Sequence, residues 1–134
     1  MNLKSLMKSD AGWGITALRV VTGIVYMGHG WPKFDDLGAR ATFFASKGIP
    51  MANIMSPVVA SVEFAGGAML VLGLFSRVVS ALQAFTMLVA VLLVHLSNGM
   101  FGQGGYQWAL LLMAASVCIM LEGGGKASLD SKLS

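Results

Sequence analysis

Between Arg77 and Glu122 no residue carries a formal charge, so Val78 to Leu121 is a charge-free run of 44 residues. A membrane-spanning helix needs about 20 consecutive apolar residues, and the run therefore reads as two spans and a turn. The turn is written as Ser97-Asn98-Gly99 through Gly102-Gln103-Gly104-Gly105, residue types that end helices and tolerate positive φ. The predicted spans are 78–96 and 105–121. Upstream lie two further apolar stretches, each interrupted by one charge: 13–30, which holds Arg19, and 54–75, which holds Glu63. Composition points the same way. The chain of 134 residues is 56% hydrophobic and 11% charged, where soluble domains carry about 25% charge. Mean hydropathy is +0.75. A chain this short has too much surface for its volume to hide so much apolar side chain from water. The predicted fold class is all-α: an integral membrane four-helix bundle formed by one domain, 1–134.

Residues 31–53 are the one sizeable segment between spans. Trp31, Phe34, Phe43 and Phe44 interleave there with Lys33, Arg40 and Lys47, a pattern suited to an amphipathic helix in the headgroup layer. Lys4 and Lys8 before an apolar run resemble the start of a signal peptide, but Arg19 interrupts that run and no small-residue cleavage site follows, so a retained helix is expected. Four spans place both termini on one side. Lys4, Lys8, Arg77, Lys126 and Lys132 then face Lys33, Arg40 and Lys47 across the bilayer, and five against three puts the termini in the cytoplasm.

The nine Lys and Arg are scattered, which excludes a nucleic-acid patch. The single Cys118 excludes an intrachain disulfide, a CxxC redox pair and a thiolate-rich metal site. No metal site is expected. The lipid bilayer is the expected partner, with a soluble redox protein or a second copy of the chain as further candidates.

Arg19 and Glu63 sit inside predicted spans, and an ionisable residue at such depth is paired or functional. Counted at 1.5 Å per residue, Arg19 lies roughly 10 Å and Glu63 roughly 18 Å above the inner edge, an offset that a long guanidinium can bridge. The two are therefore expected to contact one another, either as a buried ion pair that fixes register or as the lining of a ligand cavity. His29 ends the first span and His95 the third, which places both near the outer face. His29 and His95 are the candidate catalytic residues, since histidine titrates near neutral pH and can exchange a proton with a quinone oxygen. Their alternative is to cap the helices in the headgroups. Arg19, Lys33, Glu63, Tyr106 and Gln107 are the candidate cofactor-binding residues. Quinone is the expected cofactor; a bis-histidine haem is the lesser alternative because no further haem motif accompanies the two histidines. Gly66 and Gly67 follow Glu63 on its helical face, where they either let helices approach or clear room for a ligand.

Leu18-Arg19, His29-Gly30 with Lys33, Glu63-Phe64-Ala65-Gly66-Gly67, Gly73 through Arg77, Gly104-Gly105-Tyr106 and the terminal Gly123-Gly124-Gly125-Lys126-Ala127-Ser128-Leu129-Asp130 together resemble the DoxX family over about residues 13–130. The resemblance implies a multi-pass protein of the bacterial cytoplasmic membrane with a four-helix bundle. It also implies a redox connection, because the family takes its name from the membrane subunit of a thiosulfate:quinone oxidoreductase, and other members look like partners of superoxide dismutase and sulfurtransferase. One departure stands out: the family's Gly-Gly-Tyr is commonly followed by Glu, and here Gln107 takes that place. The expected function is a small membrane subunit of a quinone-linked oxidoreductase system. The alternative is a non-enzymatic scaffold, partner-binding subunit or small-molecule transporter.

Overall fold

A computed structural model describes residues 11–133; Lys4 and Lys8, which enter the charge count above, lie outside the described residues. Every regular element among the described residues is a helix, and they include no strand. Helix α1 runs Ala11–Gly30 and passes into a 3-10 turn, Trp31–Asp36. Helix α2, Leu37–Ser46, is followed by α3, Ala52–Leu72. Helix α4, Ser76–Val89, continues through a wider π segment, Ala90–His95, and a 3-10 turn, Leu96–Asn98. Helix α5 is Gln107–Glu122 and the short α6 is Leu129–Leu133. Two stretches, Ala52–Leu72 and Ser76–Asn98, are long and apolar enough to cross a membrane. The apolar α5 is 16 residues long, short of the roughly 20 a span requires.

Helix α1 packs along α3 and α4 along α5, with α2 lying against α3. Glycine sets the α1–α3 crossing. A Cβ on Gly23 would come within 2.6 Å of the Gly67 carbonyl oxygen, and one on Gly30 within 2.5 Å of the Phe64 amide nitrogen. Only hydrogen fits at these points, so the backbones approach as small residues permit. Gly66 faces Gln83 of α4 instead. Both glycines beside Glu63 are thus filled by neighbouring helices, which decides their role in favour of packing. The outward faces are apolar: Trp13, Val21, Ile24, Phe85, Leu111 and Leu121 are each more than half exposed. Side chains of this kind over so much of the surface call for a nonaqueous surrounding.

The chain after α5 folds back to clasp the end of the molecule where α1 begins. Arg19, buried on α1, donates from Nη1 to the Gly124 carbonyl and from Nη2 to that of Ala127 at 2.7 Å. Asp130 accepts from the amides of Phe75 (2.7 Å) and Ser76 (2.8 Å), while its own amide donates to the Gly73 carbonyl. The position before α4 is Phe75, which has φ +50° and no side-chain acceptor to cap the helix. Asp130 supplies that cap from 54 residues away, satisfying amides that the helix start leaves unpaired. Burial pushes the Asp130 carboxyl up, but the Ser76 and Phe75 hydrogen bonds and the Arg19 charge outweigh it and hold the group below its usual range. Arg77 does the reciprocal service, donating to the Met120 and Leu121 carbonyls at the end of α5.

The expected Arg19–Glu63 contact is absent. Gly30, and not Arg19, stands level with Glu63, because a Cβ on Gly30 would meet the Glu63 Cβ at 2.9 Å. Arg19 is eleven residues further down α1, roughly 16 Å at the helical rise, and its two Nη groups are bonded to the C-terminal carbonyls.

Candidate functional site

Glu63 is buried on α3, and its partner comes from the chain just past α1. Pro32 at the start of the 3-10 turn and the fixed φ it brings carry Lys33 back over the end of α1. There the Lys33 Nζ pairs with Glu63 Oε2 and donates to the His29 carbonyl at 3.2 Å. Trp31 and Phe34 of the same turn pack against Phe64, the residue after Glu63, with ring centroids 5.1 and 6.2 Å from its own. Asp36 caps α2 by accepting from the Ala39 amide at 2.9 Å, and Ser56 Oγ ties α2 to α3 through the Leu37 carbonyl at 2.8 Å.

These contacts frame a cavity of about 750 Å³ between α3 and α4, beneath α2. Its wall is mostly apolar, and its polar side chains include Tyr26, His29, Lys33, Glu63 and His95. Four residues singled out in the sequence, two candidate catalytic and two candidate binding, therefore share one space. His95 is held there by the π segment of α4, and its Nδ1 bonds the Gly104 carbonyl at 2.8 Å, which also accepts from Asn98 Nδ2 at 3.0 Å. The glycine-rich turn is thereby fastened to the cavity wall. Val58, Leu82, Phe85 and Leu93 line the cavity and are also exposed, as are Phe43, Met51 and Trp108, so the cavity is open to the surface along an apolar rim.

Three candidates lie elsewhere. Arg19 belongs to the C-terminal clasp. Tyr106 packs on the apolar core, and Gln107 opens α5 outside the wall, because the phase of α5 turns Trp108, Ala109 and Leu112 toward the cavity instead. The sequence reading missed Tyr26 and Arg40. Tyr26 precedes His29 by three residues and so shares its helix face, a spacing that could have found it. It is fully buried and bonds Ser116 Oγ on α5 at 2.7 Å. Arg40 stands exposed at the rim on α2.

Described residues whose regular elements are all helices, with two helices long and apolar enough to cross a membrane and a largely buried ion pair beside an apolar cavity, mark a membrane protein. The DoxX family model matches residues 14–96, and this chain belongs to the DoxX family. It is 35% identical to the Bacillus subtilis protein named "Putative oxidoreductase CatD", over 87% of this chain and 84% of that protein. It is 27% identical to an uncharacterized membrane protein of Mycobacterium tuberculosis, over 96% of this chain and 86% of that one. The inner membrane protein YqjF of Escherichia coli is 25% identical over 95% of this chain and 97% of its own length. No solved structure matches the chain.

Proposed function

We propose that the protein is a small integral subunit of a quinone-linked oxidoreductase system in the bacterial cytoplasmic membrane, with four spans and both termini in the cytoplasm. The observation that carries this reading is the roughly 750 Å³ apolar cavity with Lys33, Glu63, His29 and His95 in its wall. Ligand pockets commonly measure about 300–1,000 Å³ and pair an apolar lining with a few placed polar groups. A quinone ring with the first part of its tail suits that volume, and the apolar rim suits a ligand that arrives through lipid. The Lys33–Glu63 pair and the two imidazoles supply hydrogen-bonding groups of both kinds, which is the donor set a quinone head requires. The name of the Bacillus subtilis relative is in keeping with a redox role.

On this reading Lys33 and Glu63 orient the head group, His29 and His95 exchange protons with it, and Phe85, Leu82 and Val58 hold the tail. Bound quinone supplies the two-electron chemistry, and the chain supplies position and electrostatics. The test is to purify the protein in mild detergent with its lipids and to extract and quantify quinone. One quinone per chain, lost on His95→Phe and retained on Leu111→Ala, supports the reading. Wild-type protein that carries no quinone, even after quinone is added, overturns it.

A further inference from the structure

Helix α2 covers the cavity and is held there by few contacts. Arg40, Phe43 and Phe44 of α2 line the cavity, together with Met51 of the link that follows, while α4 lines it from the other side. The helix packs on α3 and on the 3-10 turn before it. Of its ten residues only Ala41 and Phe44 are buried, whereas α4 buries six of fourteen. The Ser56 hydroxyl ties it to α3 through the Leu37 carbonyl at 2.8 Å. Elements with so few buried contacts open locally, ahead of the rest of a fold. Both ends of α2 are also breaks in regular backbone. Asp36 before it lies at φ −151° and ψ 82°, outside the helical region. After it come Gly48 at φ +83° and Met51 at φ +51°. The left-handed region is unfavourable for a residue with a side chain, and strain of this kind gathers at switch segments. A Cβ on Gly48 would meet nothing within 4 Å, so no neighbour wedges the link in place.

We infer that α2 is a lid on the cavity, lifting from α3 as one unit about Asp36 and the Gly48–Met51 link and closing on bound ligand. This rests on the reading of the cavity as a ligand site and adds how that site is entered. Phe43 on α2 and Met51 in its link belong to the exposed apolar rim, so lifting α2 widens the same opening. Phe44, 7% exposed in the closed form, is the side chain that leaves the wall with the lid. The turn that carries the lid stays behind. Lys33 anchors it to Glu63, and Trp31 and Phe34 pack it on Phe64. Stationary turn and movable helix therefore meet at Asp36, and a ligand can enter without breaking the buried ion pair.

The test follows hydrogen exchange of the full-length protein in detergent, and then the rate at which a decyl-substituted benzoquinone leaves it. Tryptophan fluorescence reads the second, because Trp108 lines the cavity. Ten residues fall short of the roughly 12–15 at which an isolated helix is even marginal, so amides 37–46 should exchange together whenever α2 lifts. In the free protein they should exchange faster than the amides in the middle of α3. Probe at about ten times its dissociation constant should slow them about tenfold, as a ligand held by the closed form alone requires. Ser56→Ala removes the tether from outside the cavity lining. It should speed the exchange of 37–46 and the release of the probe by about fivefold each, about the worth of one hydrogen bond, and leave α5 unchanged. Amides 37–46 as slow as those of α3 in the free protein overturn the lid. So does a bound probe that leaves their exchange unaltered, or one whose release is the same in Ser56→Ala, and the quinone reading survives each of these results. Exchange of 37–46 as a unit in a protein that binds no probe supports the lid and overturns the quinone reading. Because the comparison of α2 with α3 uses unaltered protein, it decides the matter even if the variant misfolds.

Discussion

Lys33 and Glu63 form an ion pair whose side chains are only 17% and 4% exposed, closed by one 3-10 turn after α1. A pair so far from water is held by its mutual compensation: removing one partner leaves a charge that neither water nor protein satisfies, typically about 3–5 kcal/mol. Glu63→Gln and Lys33→Met are each expected to lower the thermal midpoint in detergent sharply. Lys33→Met combined with Glu63→Leu should recover most of the loss, because two apolar residues of similar volume leave nothing unpaired. Arg19→Met combined with Glu63→Leu should show only additive losses. Recovery in that second pair would mean that the helices are registered differently from the structure described.

The C-terminal clasp should open in acid. The Asp130 carboxyl titrates below its usual value of 3.8, since the amides of Phe75 and Ser76 and the nearby Arg19 favour its ionised form against the cost of burial. A folded-state value below the unfolded one means that the contribution is fully present above the unfolded value and disappears as pH falls through the folded value. Hydrogen exchange of residues 123–133 should therefore be unaffected by pH, after correction for intrinsic rates, between about 7 and 5, and should accelerate below about 4. Asp130→Asn should weaken the clasp by about 1 kcal/mol, as loss of a helix cap does. Release already complete near neutral pH would assign the clasp to some other contact.

The α1–α3 crossing makes a position-specific claim about glycine. Gly23→Ala and Gly30→Ala put a methyl group where 2.6 and 2.5 Å are available, which forces the helices apart at a cost of about 1–3 kcal/mol. Gly28→Ala meets nothing within 4 Å. It should be neutral or slightly stabilising, because alanine is the better helix former. Thermal unfolding of the three variants in one detergent compares them directly. Equal losses at Gly28 and Gly30 would contradict the close approach.

The proposed topology rests on the charge count and is open to a direct check. In a Cys118→Ser background, Ser131→Cys should resist a membrane-impermeant thiol reagent in intact cells and react after lysis. Gln103→Cys, in the exposed turn before α5, should react from outside. The reverse pattern would invert the assignment of sides.

Much of the helical layout is legible in charge spacing, because the cost of placing charge in lipid leaves gaps that even a single sequence displays. The gathering of His29, Lys33, Glu63 and His95 at one height is legible for the same reason. Pairing is not. The expectation that Arg19 reaches Glu63 assumed that α1 and α3 start from a common level, whereas the contacts at Gly23, Gly30 and Gly67 set their offset, and those contacts become visible only when the backbones are superposed in space. Nor could spacing reveal that the conspicuous Gly-Gly-Gly-Lys-Ala-Ser-Leu-Asp segment answers Arg19 and the uncapped start of α4. Tyr106 and Gln107 fall outside the cavity lining because helix phase after a glycine-rich turn depends on the turn's own geometry.

The π segment of α4 acts on the sequence as a frameshift acts on a reading frame. An α-helix advances about 100° per residue, and a π turn absorbs one residue more than an α turn. Every position before Ala90 keeps the phase that packs α4 against α3 and α5, while His95, the last residue of the π segment, is presented one residue's rotation away from where an unbroken helix would place it. Deleting one residue between Val91 and Val94 should restore the regular helix and leave the packing ahead of it intact. The imidazole would swing out of register with Gly104, and the turn it fastens would lose its hold. Length in this short stretch, more than the identity of its interchangeable apolar side chains, is what the fold has to preserve.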